Sequence, residues 1–230
     1  MNKKLNILIP MAGLGSRFQT SGYTVPKPLI PIEGKPMIQH AVDTLGVEGD
    51  YIFVTQKSHS LKSHLEAMYP GCKVIEIDYI TKGSACTCLL AKKYINNDTP
   101  LIITNCDQIM WWDDKSFSTF IKNYPYDGLV VTYTSDTPKN SYIKLNRDGF
   151  GVELAEKQVI SSISLNGIHY WRQGKDFVYS AQTMIENNEN YNGEFYVAPT
   201  YNSLIKDGKK IGVYHIPNEQ HNAVGTPEDL

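Results

Sequence analysis

The amino-acid sequence predicts an α/β protein: a mostly parallel sheet with helices on both faces, continued by mixed strands in its second half. Three observations carry this. Short apolar runs alternate with amphipathic stretches at βαβ spacing through residue 127. The runs at the start of the chain and near residue 101 are apolar almost throughout, the mark of strands buried on both faces. After Asp127 short strands follow one another with turn residues between them.

Taken in order, Leu5-Asn-Ile-Leu-Ile-Pro10 is a buried strand running into a glycine-rich loop. Pro36 suits the first turn of a helix, and Met37, Ile38, Ala41, Val42 and Leu45 recur at helical spacing. Tyr51 to Thr55 is a strand and Ser58 to Met68 a helix, then Lys73 to Asp78 a strand and Ser84 to Tyr94 a helix. Leu101 to Thr104 is a buried strand before a helix over Ser116 to Asn123. Strands follow at 128–134, 142–145, 151–155 and 164–171, with Asn146-Arg-Asp-Gly149 as a hairpin turn. Helices over 175–187 and 199–205 and a strand over 210–216 complete the set. Neither a linker nor a repeat interrupts the chain, so we expect one domain over 1–230, with halves at 1–127 and 128–230. Leu230 falls just after Gly225-Thr-Pro-Glu-Asp229, where a helix should begin, which suggests a truncated chain.

Composition narrows the function classes. The chain has 230 residues, 41% hydrophobic and 20% charged, enough for a real core and too apolar for disorder. Its net charge of −2 provides no electrostatic footprint for duplex nucleic acid or an anionic membrane. No apolar run reaches the roughly 20 residues of a spanning helix, and the opening run is too short for a secretory signal. Cys72, Cys86, Cys88 and Cys106 follow no zinc spacing and read as buried free thiols. A cytoplasmic location is expected.

The chemistry begins at Pro10-Met-Ala-Gly13-Leu-Gly15-Ser-Arg17-Phe18. Glycines at the end of a strand let backbone N–H groups approach phosphate oxygens. The dinucleotide fingerprint fails, because Phe18 stands where its third glycine belongs, and a P-loop fails because Pro36 follows Gly34-Lys35. A glycine loop with Arg17 remains, together with Lys27 between two prolines that restrict its backbone. Two cations converging on one loop would suit a triphosphate; the plainer alternative is two surface cations beside a turn.

Gly13-Leu-Gly15-Ser-Arg17-Phe18, Pro26-Lys27-Pro28-Leu29 and Gly34-Lys35-Pro36 together resemble the signature of the sugar-phosphate nucleotidyltransferases. Thr81-Lys-Gly83-Ser84-Ala85 is similar to that family's nucleobase turn, and Asn105-Cys-Asp107-Gln108 to its metal-binding aspartate. Glu156-Lys157 resembles its acceptor-phosphate pair, Asn166-Gly167-Ile168 its acceptor-side turn, and Gly225 to Asp229 its closing motif. The resemblance implies a Rossmann-like sheet and attack by an acceptor's phosphate oxygen on the α-phosphorus of a nucleoside triphosphate, releasing pyrophosphate. It implies that Ala12, Gly13, Gly15, Ser16, Thr81, Gly83 and Ser84 bind the nucleotide in the first half. Arg17 would stabilise the departing phosphates, and Lys27 would bridge the α-phosphate and the acceptor. Lys157, oriented by Glu156, would hold the acceptor phosphate, with Asn166 and Gly167 beside it in the second half. Asp107 would ligate Mg²⁺.

The wording Gly15-Ser-Arg-Phe18 followed by Gly22-Tyr-Thr-Val-Pro-Lys27-Pro-Leu resembles a small capsule-biosynthesis branch of the family. That branch includes the cytidylyltransferase that joins CTP to phosphoglutamine, which implies CTP and a phosphorylated amino acid here. Sugar 1-phosphates and phosphocholine are the alternative acceptors, and a catalytically silent nucleotide-sensing subunit is the alternative class. A glycosyltransferase is disfavoured because Asn105-Cys-Asp107 lacks the first carboxylate of Asp-x-Asp. Three positions depart from the family pattern, the first being Gln158, where Pro commonly follows the Glu-Lys pair. Ala223 stands where a second metal-binding Asp is common, leaving Asn222 as a weak candidate, and Thr81 stands where Gln is common.

Other residues have plainer readings. Asp113-Asp114 is expected to cap a helix rather than bind metal. Trp111-Trp112 could wall an acceptor, but core or dimer packing is favoured, so a homo-oligomer is among the expectations. His40, His59 and His64 are expected at the surface or as caps, His169 near the acceptor, and His215 in strand packing.

Overall fold

A computed structural model describes residues 5–230. In chain order its first half contains β1 (Asn6–Met11), α1 (Ser16–Thr20), β2 (Pro31–Ile32), β3 (Lys35–Pro36), α2 (Met37–Leu45), β4 (Asp50–Gln56), α3 (Lys62–Met68) and β5 (Lys73–Ile77). Then come α4 (Ser84–Leu89), α5 (Lys92–Ile95), β6 (Leu101–Ile103), β7 (Gln108–Met110) and α6 (Asp114–Asn123). The second half contains β8 (Gly128–Thr134), β9 (Ser141–Leu145), β10 (Gly151–Glu156), β11 (Ile163–Trp171), α7 (Gly174–Glu186), α8 (Tyr201–Lys206), β12 (Ile211–His215) and β13 (His221–Ala223).

One nine-stranded sheet draws on both halves. Strands β5, β4, β1 and β6 are parallel, as the βαβ spacing predicts. β11 then runs antiparallel to β6, β8 and β9, while β12 is parallel to β8. The α/β reading with mixed strands in the second half therefore holds. Alternate residues feed two cores, one on each face. Leu8, Ile103 and Trp171 face α7, whose Phe177, Val178 and Ala181 are buried there. Ile7, Ile9 and Ile102 belong to the opposite core, with Ile38 and Val42 of α2 and Phe117 and Ile121 of α6. Trp171 is fully buried and stacks on Tyr201 at 4.5 Å between ring centroids.

Two expected elements differ in detail, and one small sheet is additional. The helix expected from Ser58 starts at Lys62, because Ser60 adopts a left-handed conformation (φ +50°) that ends a preceding 3-10 turn. The helix expected over 84–94 splits into α4 and α5, where Leu90 and Ala91 tighten to bonds with Thr87 and Cys88. The sequence reading missed the two-stranded β7–β13 sheet, because each strand is three residues long. The hairpin at 146–149 forms as expected, with Asn146 Oδ1 accepting the N–H groups of Asp148 and Phe150.

The topology leaves an opening that positions the site. β6 and β9 lie along the same edge of β11, β6 against residues 169–171 and β9 against Ser164. Between them β11 bulges: two positions of β8, from Thr132 to Val130, span four of β11, from Leu165 to His169. Asn166 and Gly167 occupy that bulge, at the mouth left between the two strands.

Candidate active site

The glycine loop leaves β1 and enters α1 through Gly15, whose left-handed conformation (φ +66°) a side chain would strain. A Cβ there would also come within 3.1 Å of Lys27 Cβ, so the loop and the lysine pack together. Phe18 is buried against Ile30, Met37, Ile109 and Val224, which explains an aromatic residue where a dinucleotide fold has glycine. Lys27 opens a 3-10 turn flanked by the expected prolines. Its ammonium donates to Asp107 Oδ2 (2.5 Å) and to the Gly225 carbonyl (3.0 Å). The closing motif is therefore held at the first loop, and β7–β13 pairing supports it from behind through the Val224 N–H to Asp107 carbonyl bond (2.9 Å).

Behind Asp107 lies a cleft of about 300 Å³. Its lining brings together five of the residues expected at the site: Asp107, Glu156, Asn166, Gly167 and Ser84. Gly167 (φ +98°) is required here, since a Cβ would fall 2.2 Å from Asn105 Nδ2 and 3.2 Å from Gln108 Oε1. Asn166 Oδ1 accepts the Ile168 N–H and braces the bulge. The remaining expected residues are not in the lining of the cleft. Arg17 is exposed on α1, close enough to Glu228 that its charge helps hold that carboxyl below the usual range, chiefly an effect of hydrogen bonds within the 226–229 turn.

Two expected roles are corrected. Glu156 does not orient Lys157 by an ion pair: its carboxylate accepts from the Ser141 hydroxyl, and Lys157 Nζ donates to the Tyr196 hydroxyl (2.6 Å). Burial pushes the Glu156 carboxyl up, whereas the Tyr196 hydrogen bond raises the Lys157 ammonium above the ordinary lysine value. Asn222 is no partner for Asp107, because Ala223 and His221 line the cleft and strand alternation places Asn222 on the other face of β13. The residues of the turn expected to take the nucleobase are bonded among themselves and to Thr87. Thr81 Oγ1 lies 2.6 Å from Thr87 Oγ1 and donates to the Gly83 carbonyl (3.1 Å), so Thr81 builds the turn.

The sequence reading missed several residues. Gln56 is buried at the end of β4, and its amide donates to the Ala12 carbonyl (2.8 Å) and the Tyr79 carbonyl (2.9 Å), fastening the glycine loop to the strand end before the Thr81 turn. Tyr133 stacks on His221 at 4.6 Å, and Asn140 donates to Tyr133, Ser135 and Ser164 around the rim of the cleft. No motif spacing marks these residues, since the β8–β9 connection and β13 meet only in the fold.

The plainer readings divide. Asp113 caps α6 through the Ser116 N–H (3.1 Å), as expected. Trp112 packs on Phe117 and Tyr214, while Trp111 is 65% exposed. His169 lines the cleft, and burial pushes its imidazole down to about 3. His59 is partly buried rather than free at the surface, and its buried Nδ1 is without a hydrogen-bond partner. His215 is exposed instead of packed, with its ring beside the Thr132 and Thr134 hydroxyls. The four thiols are unpaired, Cys88 and Cys106 buried and the other two partly so. No described helix is long and apolar enough to cross a membrane.

Comparisons with known proteins agree with this architecture. The bifunctional protein GlmU of Methanocaldococcus jannaschii is 28% identical over 230 residues, covering 98% of this chain and 52% of GlmU. The chain thus spans about half the length of that curated relative. Among solved structures, the nucleoside-diphosphate-sugar pyrophosphorylase of Vibrio cholerae superposes with a TM-score of 0.83 at 22% identity, covering 97% of each chain. The inositol-1-phosphate CTP transferase of T. maritima superposes at 0.79 with 14% identity, covering 100% of this chain and 92% of that one. At these identities the structures establish the fold. A family model described as the MobA-like NTP transferase domain matches residues 7–145, which contain the glycine loop, Lys27, the Gly83 turn and Asp107, and the chain belongs to that family.

Proposed function

We propose that the protein transfers CMP from CTP to the phosphate of a small acceptor, phosphoglutamine being the preferred candidate, with release of pyrophosphate. The observation that carries this reading is the Lys27–Asp107 pair, set between the glycine loop and the cleft. An ammonium there can face a triphosphate on one side and an acceptor phosphate on the other. Transfer between two phosphates needs in-line positioning and neutralised charge more than covalent help. Arg17 meets the charge that develops on pyrophosphate, and Lys157 holds the acceptor phosphate at the far wall.

The residues fit Mg²⁺ carried in with the nucleotide. Asp107 is a partly exposed carboxylate, and no cluster of three or more His, Cys, Asp or Glu side chains that could hold a metal occurs among the described residues. A hard cation bound mainly by phosphate oxygens and water needs only one or two protein carboxylates. Asp107 would hold it, and the ion would offset charge on the triphosphate.

The choice of CTP rests on the wording of residues 15–29, and the T. maritima neighbour shows that CTP chemistry is carried on this fold. A cleft with a partly buried carboxylate, Glu156, and a rim ammonium, Lys139, suits an acceptor bearing both an amine and a carboxylate. The test is pyrophosphate release with Mg²⁺ over CTP, UTP, dTTP, GTP and ATP against phosphoglutamine, phosphocholine and sugar 1-phosphates. Release in the CTP and phosphoglutamine combination is expected. Release confined to another acceptor removes phosphoglutamine, and bound nucleotide with no release anywhere favours a sensing subunit.

A further inference from the structure

The segment 191–196 joins two parts of the site that lie far apart in the chain. Phe195 sits on the Gly83 turn: its N–H donates to the Lys82 carbonyl (2.7 Å), and its carbonyl accepts from the Ala85 N–H (3.0 Å). A Cβ on Gly83 would come within 2.4 Å of the Phe195 oxygen, and Gly83 has φ +110°, so only glycine permits this approach. The next residue, Tyr196, reaches into the cleft wall. Its oxygen accepts from Lys157 Nζ (2.6 Å), while its own proton goes to the Glu194 carboxylate. The Lys157 ammonium also lies 4.6 Å from the Tyr196 ring centroid and 5.6 Å from that of Tyr191. Lys157 itself has a left-handed backbone (φ +53°), fixed by its N–H to the Asn140 carbonyl (2.9 Å).

We propose that Tyr196 is a positioning residue that aims Lys157 at the acceptor phosphate and, through Phe195, anchors that aim to the Gly83 turn. A hydroxyl that gives its proton to a carboxylate must present lone pairs to the ammonium, so its direction is fixed. The inference rests on Lys157 holding the acceptor phosphate. With CTP and phosphoglutamine, Tyr196→Phe should raise the acceptor KM on the order of 10-fold, the loss of one hydrogen bond to a charged group. The CTP KM and kcat should stay near their wild-type values.

Lys157→Ala combined with Tyr196→Phe should be no worse than Lys157→Ala alone, because the tyrosine acts through the lysine. An additive double variant, or an unchanged acceptor KM in Tyr196→Phe, overturns the proposal while leaving Lys157 in place. If Lys157→Ala itself leaves acceptor KM unchanged, the reading of Lys157 falls, and this role with it. Glu194→Gln, at an exposed carboxylate, should shift acceptor KM in the same direction by less and serves if Tyr196→Phe does not fold. A second readout needs no turnover: the ¹³C signal of reductively methylated Lys157, assigned with Lys157→Arg, is titrated with inorganic phosphate. It should respond at lower phosphate in wild type than in Tyr196→Phe, and equal titrations overturn the proposal.

Discussion

The two halves of the protein build their parts of the site by different means. The first half works with backbone: a loop turned by Gly15 at the end of β1, a lysine fixed between prolines, and the Gly83 turn. The second half works with side chains that meet across distant strands, such as Asn140 with Ser164, Tyr133 with His221, and Lys157 with Tyr196. Backbone amides and a rigid cation suit what all nucleotides share, a chain of phosphates. Side-chain clusters suit what distinguishes one acceptor from another. Asp107 and Lys27 stand where the two schemes meet.

Asp107→Ala should cause the largest loss. Turnover that depends on Mg²⁺ should vanish while the thermal transition stays close to wild type, because the side chain is partly exposed; a near-normal rate would take Asp107 out of the site. Arg17→Ala tests the first half alone. A loss on the order of 10²–10³ in kcat is expected if the guanidinium meets developing charge. A change in melting temperature alone would return Arg17 to the role of a surface cation. Lys157→Ala tests the second half and should chiefly raise the acceptor KM, by on the order of 10- to 100-fold. An effect confined to nucleotide affinity would erase the contrast between the halves.

A further prediction concerns pH and a histidine in the lining of the cleft. The imidazole of His169 is held neutral to about 3 in the fold, against an unfolded value of 6.5. The unfolded chain therefore binds the extra proton between those values, and stability should fall as pH drops through that window. The slope from this one group approaches about 1.4 kcal/mol per pH unit. Denaturant unfolding at pH 4 and pH 7 should show a smaller difference for His169→Gln than for wild type. An equal difference would assign acid sensitivity to other groups.

The same contrast explains what the sequence could reveal. Parallel strands and the helix of residues 37–45 follow from local apolar spacing, and Gly15 and the prolines around Lys27 are local punctuation. The break at Ser60 was hidden because a serine carries no sign of a left-handed backbone. β7 and β13 were hidden because three residues show no period. Glu156 and Lys157, adjacent in sequence, look like a pair, yet the fold gives each a separate partner, Ser141 and Tyr196. Gln56 has no motif to announce it, since its two carbonyl partners meet only when β4 is placed between β1 and β5.

The central claim is that the halves meet at the ammonium of Lys27, and single-turnover pyrophosphate release by Lys27→Ala, with CTP and acceptor both saturating, tests it most directly. The account predicts a rate lower by on the order of 10²-fold or more, with both substrates still bound, as expected when a positioned charge is removed from phosphoryl transfer. A wild-type rate would contradict it and reduce the Lys27–Asp107 pair to a clasp on the closing motif.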